Sequence, residues 1–219
     1  MLPFEPFDKI SGAFLGKGMG DLSEEFFQLK QVHGNRIIVL KNSQDAKKWR
    51  NQDGDAIICK EWGLPIAVRT ADCVPVFIAH PSRVIAVVHA GWRGTVARIL
   101  EKTLMKMRDD FNLDLARVAV AIGPAIGAEC YEVGEDVVAA FRAQGGEKYF
   151  SVGRAGKFLL DLKSANADQA KSLGVSADRI EVHPECTLCR EDLFYSHRGT
   201  VARGEAQEGR NYSWLMISP

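Results

Sequence analysis

Short apolar runs separated by polar turns dominate the chain and predict buried β-strands. Residues 74–79 and 84–88 are each too short for an isolated helix and are rich in β-branched side chains. Residues 80–83, which link them, have the composition of a turn, so the two strands are expected to pair as a hairpin. Further strands are predicted over residues 37–40, 117–122, 179–183 and 214–217, and residues 53–59 are predicted to be a turn that leads into another strand.

Apolar side chains at helical spacing predict amphipathic helices between these strands. Residues 95–110 show this pattern, with charged side chains at the remaining positions and Thr95 as the expected N-cap. Other helices are predicted over residues 22–29, 135–143 and 162–173. A chain of 219 residues with 46% hydrophobic composition can bury a substantial core, and with no repeat or linker we expect one domain, 1–219.

Reactive side chains fall at the ends of the predicted hairpin. Cys73 enters the first strand and His89 leaves the second, so antiparallel pairing would place the thiol and the imidazole in one site. His33 also lies at the mouth of a predicted strand. Gly91 would let the backbone approach a ligand, and Arg93 with nearby free N–H groups is expected to hold an anion.

Charge and cysteine content narrow the expected partners and compartment. Lys plus Arg equals Asp plus Glu at 28 each, so no global field draws the protein to nucleic acid or to an anionic membrane. The five cysteines are unevenly spaced, and the first residues lack the basic and apolar regions of a secretory signal. The longest apolar runs are far short of a membrane span. These features predict a cytoplasmic protein with free thiols.

The segment 183–189 combines H-x-E with C-x-x-C, a combination similar to the zinc site of base deaminases. In the deaminase arrangement the two halves come from separate helix starts, whereas here they abut in one short stretch. No second Cys/His pair follows, so Cys186 and Cys189 are interpreted as structural thiols rather than as metal or redox groups. Cys59, at the end of an apolar run, is interpreted as a packed thiol.

Several short motifs occur in a fixed order along nearly the whole chain. They are V-H-G-N-R at 32–36, D-G-D-A at 53–56, T-A-D-C-V-P-V at 70–76, H-A-G-W-R-G-T at 89–95, G-P-A-I-G and C-Y-E-V-G within 123–134, C-T at 186–187, F-Y-S-H-R at 194–198 and G-R at 209–210. On these motifs the sequence resembles the YfiH family, also called the purine nucleoside phosphorylase/laccase-domain or multicopper polyphenol oxidase family. Three departures are visible: Glu129-Cys130 stands where family members often have two adjacent cysteines, residues 200–208 are an unusual insert, and Cys189 is not a family hallmark.

The resemblance implies an α/β (α+β) fold of mixed β-sheets flanked by helices, similar to a cysteine-hydrolase-like toxin fold. It also implies a metal site made by His33, Cys73 and His89, with zinc as the expected ion and copper as the alternative. Two imidazoles and a thiolate suit zinc, and a set of three ligands leaves one position open for catalysis. Alternatively, Cys73 would be a nucleophile activated by His89, because metal binding and nucleophilic attack compete for the same thiolate.

Other residues near these motifs complete the expected site. Catalytic roles are expected for Cys73, His89, Arg93 and Asp72. Substrate or phosphate contacts are expected from Arg69, Arg93, Gly91 and Cys130. A structural ion pair between Asp72 and a neighbouring arginine is the competing interpretation, since such pairs are common beside functional sites.

Three classes of function follow from the resemblance. A zinc-dependent nucleoside enzyme would cleave adenosine, inosine or methylthioadenosine with phosphate, or deaminate adenosine at the same site, and arginine near a metal suits both reactions. A copper-binding, laccase-like polyphenol oxidase is one alternative, although five histidines are too few for a full multicopper cluster in one chain. A cysteine-hydrolase-like or non-catalytic role in peptidoglycan precursor quality control is another. The expected partners are a small purine nucleoside and phosphate, and the expected state is a monomer or weak homodimer.

Overall fold

The structure is a computed structural model that describes residues 1–22, 24–154, 156–206 and 209–219. Its strands are β1 (Leu2–Phe7), β2 (Ile10–Leu15), β3 (Ile37–Leu40), β4 (Ala56–Cys59), β5 (Ile66–Thr70), β6 (Val74–His80), β7 (Val84–Ala90), β8 (Ala119–Ile122), β9 (Glu132–Val133), β10 (Phe150–Val152), β11 (Phe158–Leu160), β12 (Ile180–Val182) and β13 (Asn211–Ile217). Its α-helices are α1 (Ser43–Trp49), α2 (Trp92–Val96), α3 (Ile99–Phe111), α4 (Glu135–Arg142), α5 (Leu162–Ser172) and α6 (His197–Arg203). Short 3-10 turns cover Leu115–Arg117, Glu147–Tyr149 and Ala177–Arg179.

A six-stranded sheet in the order β12-β8-β6-β7-β4-β3 lies at the centre of the described chain. Every residue of β4, β6, β7 and β8 is buried, which explains why these strands are continuous apolar runs rather than alternating ones. β6 and β7 form the predicted antiparallel hairpin, with Val74 opposite Ala90 and Pro75 opposite His89. This register brings the start of β6 and the end of β7 to one edge of the sheet.

Both faces of the central sheet are covered. On one face, α3, α4 and α5 pack against a set of strand residues that includes Ile58 and Val76. On the other face, the four-stranded sheet β1-β2-β13-β5 packs against the opposite set, and Phe14 stacks on Phe77 with ring centroids 4.1 Å apart. A small sheet in the order β10-β11-β9 accompanies these layers. The predicted class, mixed sheets flanked by helices, is confirmed.

The helix predicted over residues 22–29 is wrong for the described part of that segment, which excludes residue 23. Phe27 donates its backbone N–H to the carbonyl of Pro65 (2.8 Å) and accepts from the N–H of Ala67 (2.9 Å). Its backbone therefore pairs alongside β5, and helical hydrogen bonds are not available to it. The apolar side chains that suggested a helix are buried in the core from this extended stretch.

The helical region after β7 begins earlier than predicted and is divided in two. Gly91 is the residue before α2, so Thr95 lies inside α2 and is not an N-cap. Arg98, between α2 and α3, has the left-handed φ of 59° that separates the two helices. The hydroxyl of Thr95 accepts a buried hydrogen bond from Nδ2 of Asn166 at 3.0 Å. The side chain of Thr95 therefore links α2 to α5 and does not cap a helix.

The other predicted elements agree with the structure to within a few residues. Helices α4 and α5 and strands β3, β4, β8, β12 and β13 lie where the pattern placed them. The unusual insert at 200–208 begins inside α6, and its residues 207–208 lie outside the described residues. None of the helices formed by the described residues combines the length and the apolar character that crossing a bilayer requires.

Candidate metal centre

Three potential metal-binding side chains converge at the sheet edge where β6 begins and β7 ends. Cys73 immediately precedes β6, and His89 is the second-last residue of β7, so the hairpin register places both at the same end. His33 arrives from the loop before β3. One ligand atom from each of the three residues lies within 4.8 Å of the other two. The structure thus brings together the residues that the sequence predicted as ligands.

A buried carboxylate, that of Asp55, holds the loop that carries His33. Its Oδ1 accepts the backbone N–H of His33 at 2.9 Å, and its Oδ2 accepts the N–H of Gly34 at 2.8 Å. His33 has a φ of 59°, a left-handed conformation that residues other than glycine keep only when their surroundings hold them there. The two hydrogen bonds to Asp55 supply this constraint and fix the direction from which the imidazole enters.

The same carboxylate orients His89. Oδ1 of Asp55 lies 2.8 Å from Nδ1 of His89, and both side chains are buried. Burial alone lowers the pKa of His89, but the contacts with Asp55 and Cys73 outweigh it and raise the pKa to about 9. Because Nδ1 is engaged, Nε2 is the ring nitrogen left to face Cys73. A carboxylate behind an imidazole is the arrangement that orients metal-binding histidines.

The surroundings of Cys73 favour its thiolate form. Burial alone raises the pKa of a thiol, but hydrogen bonds and charges from His33 and His89 outweigh it and lower the pKa of Cys73 to about 6. His33 is exposed, Cys73 is partly exposed and His89 is buried, so the cluster is accessible from one side. A thiolate with two imidazoles therefore fits a zinc ion that keeps one coordination position open.

The lack of a side chain at Gly91 lets the ligands meet. A Cβ at this position would lie 3.0 Å from Sγ of Cys73 and 3.2 Å from Cδ2 of His33, closer than ordinary contacts. We expect Gly91→Ala to displace these two ligands and to weaken zinc binding by roughly tenfold or more, the scale seen when the support of a metal ligand is lost. Competition with a coloured chelator measures the change in zinc affinity.

Gly34→Ala is the matched control for that substitution. A Cβ at Gly34 would meet Oδ2 of Asp55 at 3.5 Å, an ordinary van der Waals contact, although Gly34 directly follows the ligand His33 in the chain. We expect this variant to bind zinc nearly as well as the wild type. A Gly91→Ala protein with unchanged zinc affinity would contradict the role given to this close packing.

A cavity of about 670 Å³ adjoins the cluster, and its charge is strongly positive. Among the described residues that line it, five are lysine or arginine and Asp72 alone is acidic. The cations are Lys30, Arg69, Arg93, Arg198 and Arg210. No salt bridge joins Arg69, Arg93 or Arg198 to a carboxylate of the described chain. A cavity with guanidinium groups free of carboxylates suits an anionic ligand.

Asp72 lines the cavity, but the protein's own groups engage its carboxylate. Oδ1 accepts from the hydroxyl of Thr187 at 2.6 Å, and Oδ2 accepts from the backbone N–H of Arg198 at 2.7 Å. Within the described residues Asp72 forms no salt bridge with an arginine side chain, so the ion-pair interpretation does not hold there. Asp72 instead fixes two later segments of the chain beside Cys73.

The remaining predicted site residues are divided between the cavity and other places. Arg69, in β5, and Arg93, in α2, both line the cavity. Gly91 packs against the cluster and is absent from the described lining of the cavity. Cys130 is also absent from that lining, and its Sγ lies 3.3 Å from Sγ of Cys189. The contact that the sequence assigned to Cys130 is therefore not one that this cavity offers directly.

Several contributors to the site were not predicted, among them Asp55, Tyr131, Arg198 and Arg210. Asp55, Arg198 and Arg210 belong to the motifs D-G-D-A, F-Y-S-H-R and G-R, so polar residues inside the recurrent motifs were the available signal. Burial raises the pKa of Tyr131, which keeps its hydroxyl protonated as a hydrogen-bond donor at the cavity.

The fold and site define a mixed α/β protein with a His/Cys/His cluster beside a basic cavity. The chain belongs to the family described as multi-copper polyphenol oxidoreductase laccase, whose family model matches residues 15–218. It is 34% identical over 212 residues to a purine nucleoside phosphorylase of Bacteroides thetaiotaomicron, covering 93% of this chain and 77% of that protein. It is 35% identical over 183 residues to adenosine deaminase RL5 of an unknown prokaryotic organism, covering 77% of this chain and 68% of that protein. The crystal structure of hypothetical protein YfiH of Bacillus licheniformis superposes on this structure with a TM-score of 0.83 at 25% sequence identity. The superposition covers 96% of this chain and 93% of that chain. The resemblance inferred from the motifs is confirmed.

Proposed function

We propose that this protein is a zinc-dependent purine nucleoside phosphorylase that acts on adenosine, inosine or methylthioadenosine. The observation that carries the proposal is the His33, Cys73 and His89 cluster beside a cavity whose described lining holds five cations and one acid. The names of the relatives, purine nucleoside phosphorylase and adenosine deaminase, support purine nucleosides as the substrate class. A cavity of about 670 Å³ has room for a nucleoside together with phosphate.

The arginines make phosphate the expected second substrate. Arg93 is exposed at the cavity, and its planar guanidinium group suits bidentate hydrogen bonding to phosphate oxygens. Arg69 and Arg210 line the same cavity, and burial together with the positive charge of Arg69 lowers the pKa of Arg210. Two crowded cations repel one another, and a bound anion relieves this repulsion. Phosphate binding therefore matches the positive charge of this cavity.

The reaction follows from placing phosphate opposite the glycosidic bond. A phosphate oxygen bonds to C1′ of the ribose while the bond from C1′ to the purine nitrogen breaks. The purine keeps the electron pair and takes up a proton, so the products are ribose 1-phosphate and the free base. Arg93 and Arg69 hold the phosphate in position and offset its charge, and the Tyr131 hydroxyl donates a hydrogen bond within the same cavity.

The residues of the cluster have a distinct role in this account. His33, Cys73 and His89 would hold the zinc ion, which when bound supplies a Lewis acid beside the arginines. Cys73 is then a ligand and not a nucleophile, because one thiolate does not serve both purposes. Asp72 is a positioning residue, because its carboxylate holds the segment that carries Arg198 beside the cavity.

Incubating the purified protein with a purine nucleoside and phosphate tests the proposal. We expect hypoxanthine from inosine and adenine from adenosine, separated and identified by liquid chromatography. Absence of free base from both nucleosides, in a protein that contains zinc, would overturn the assignment.

Replacing Arg93 should weaken the use of phosphate without removing zinc. Arg93→Gln removes a charge-assisted hydrogen bond to phosphate, a contact that contributes roughly 1.5–3 kcal/mol, so we expect KM for phosphate to rise about 10- to 100-fold. Steady-state rates at varied phosphate measure this change, and zinc content is measured on the same sample.

Arg142→Gln is the control for Arg93→Gln. Arg142 is a half-exposed residue of α4 that pairs with Glu135 and does not belong to the described lining of the cavity. Its substitution should leave KM for phosphate unchanged. If Arg93→Gln and Arg142→Gln behave alike, phosphate does not bind at Arg93.

Adenosine deamination is a second candidate for the same cavity. The observation that favours it is the 35% identity to adenosine deaminase RL5, together with a ligand set accessible to water. Water would add to the purine carbon that bears the amino group, and ammonia would leave. Formation of inosine and ammonia from adenosine without phosphate tests this activity, and loss of ammonia release in Cys73→Ser would tie it to the cluster.

A multicopper oxidase cluster does not fit the arrangement of histidines. Of the five histidines, His33 and His89 belong to the cluster. His80 lies at the opposite end of β6, and His183 follows β12. His197 reaches the cavity, but one added imidazole does not provide the ligands of three further coppers. Elemental analysis of the purified protein distinguishes zinc from a single copper.

A further inference from the structure

A second group of metal-binding side chains lies outside the cavity. The sulfur atoms of Cys130, Cys186 and Cys189 all lie within 4.8 Å of one another, and Sγ of Cys130 is 3.3 Å from Sγ of Cys189. The sequence by itself favours structural thiols at Cys186 and Cys189, because no second Cys/His pair follows them. The fold supplies the missing partner from upstream, since Cys130 follows the loop after β8.

Backbone hydrogen bonds point at one of these sulfurs. The N–H of Gly127 donates to Sγ of Cys186 at 3.1 Å, and the N–H of Cys189 donates to it at 3.5 Å. N–H donors aimed at the first cysteine of a C-x-x-C turn stabilise a thiolate, and the hydrogen bonds around ligands are part of a metal site. The two loops are also joined by a hydrogen bond from the N–H of Thr187 to the carbonyl of Ala125 at 3.1 Å.

Three neighbouring thiols ionise together only if positive charge offsets their repulsion. The three sulfurs lie within 4.8 Å of one another, so three thiolates at this distance would repel one another unless a cation lay between them. Lys163 supplies one positive charge on the buried side, where its Nζ donates to the carbonyl of His183 at 2.7 Å. This lysine lies beneath the segment that carries Cys186 and offsets part of the charge of a thiolate cluster.

We propose that Cys130, Cys186 and Cys189 bind a second zinc ion, with solvent as the fourth ligand. Cys189 is exposed and the other two are partly exposed, so the ion has a path from solvent. A disulfide between Cys130 and Cys189 would need the two sulfurs at about 2.0 Å. It would also not account for the backbone N–H groups that donate to the sulfur of Cys186. Three thiolates are ligands that zinc binds tightly.

The second zinc ion is structural in its effect. Cys130 is adjacent to Tyr131, which lines the cavity, and Cys186 is adjacent to Thr187, which holds Asp72. The ion would therefore fasten the loop that carries Tyr131 to the loop whose Thr187 holds Asp72. It is independent of the ion at the His/Cys/His cluster, because the two ligand sets share no residue.

The number of zinc ions per chain tests the proposal. We expect two in the wild type, one in Cys189→Ser, and two in the control Cys59→Ala, which removes a buried thiol outside both clusters. Cys73→Ser should also retain one, which makes the two sites separable. A Cys189→Ser protein with the same zinc content as the wild type would overturn the second site, whereas one ion in the wild type and none in Cys189→Ser would overturn only the first.

Two further measurements keep the test decisive. Cobalt added to Cys73→Ser after its zinc has been removed with a chelator should give an intense sulfur-to-cobalt charge-transfer band, and Cys73→Ser/Cys189→Ser treated in the same way should lose most of it. Alkylation of the denatured, chelator-treated wild type, prepared without reductant, should label all five cysteines. Labelling of only three cysteines would show a disulfide in place of the metal site and would overturn the proposal.

Discussion

Cys73→Ser should lose one zinc ion per chain and at least about 100-fold of its phosphorolysis rate. Cys73 supplies a thiolate, with a pKa of about 6, to a group completed by two imidazoles. A serine hydroxyl does not ionise near neutral pH, so the remaining two imidazoles would hold zinc weakly. Elemental analysis after gel filtration measures the zinc, and base release from inosine measures the rate.

Cys59→Ala separates this effect from the loss of any thiol. Cys59 ends β4, is fully buried and has a pKa raised to about 12 by burial, so it stays a neutral packed thiol. Its substitution should leave the zinc content and the catalytic rate near those of the wild type. An unchanged zinc content in Cys73→Ser would remove the assignment of Cys73 as a ligand.

Asp55→Asn should weaken zinc binding about 10- to 100-fold, although Asp55 is not a ligand. Its carboxylate accepts from the backbone of His33 and Gly34 and from Nδ1 of His89, at 2.8 to 2.9 Å. An asparagine has one acceptor fewer, and its NH₂ group would face one of these donors. We also expect the free energy of unfolding without metal to fall by about 1–3 kcal/mol, because a buried group loses its partner.

Asp53→Asn is the matched control, since it makes the same chemical change two residues away. Asp53 is more than half exposed, and its contact with Lys30 is a surface pair at 3.7 Å. This variant should keep both zinc affinity and stability. Chelator competition gives the affinity, and urea unfolding of the metal-free proteins gives the stability. Equal zinc affinity for Asp55→Asn and Asp53→Asn would contradict the role of Asp55 in orienting the ligands.

The central sheet and two of the three ligands could be predicted because they depend on local pattern. The apolar runs of β6 and β7 and the turn between them specify the hairpin, and the hairpin register alone brings Cys73 to His89. His33 required more information, since it arrives from a loop that pairs with no strand of the hairpin. Its place in the cluster came from the family resemblance and not from spacing.

The rest of the site depends on contacts between distant parts of the chain. Nothing in the sequence indicates that Asp55 forms hydrogen bonds to two separate segments of the chain. From its position it is expected to be an ordinary turn aspartate before β4. Cys130 precedes Cys189 by 59 residues, so only the folded chain shows that the two sulfurs meet. Phe27 is a further example, because the spacing of the apolar residues around it predicts a helix. In the structure its backbone instead forms hydrogen bonds with the segment of β5.

The dependence of base release on phosphate tests the central claim most directly. The wild-type protein, freed of phosphate, should release almost no hypoxanthine from inosine. Added phosphate should restore release, with one ribose 1-phosphate formed for each hypoxanthine, and Cys73→Ser should show neither product. Hypoxanthine released at the same rate without phosphate, together with free ribose, would contradict the account and identify a hydrolase instead.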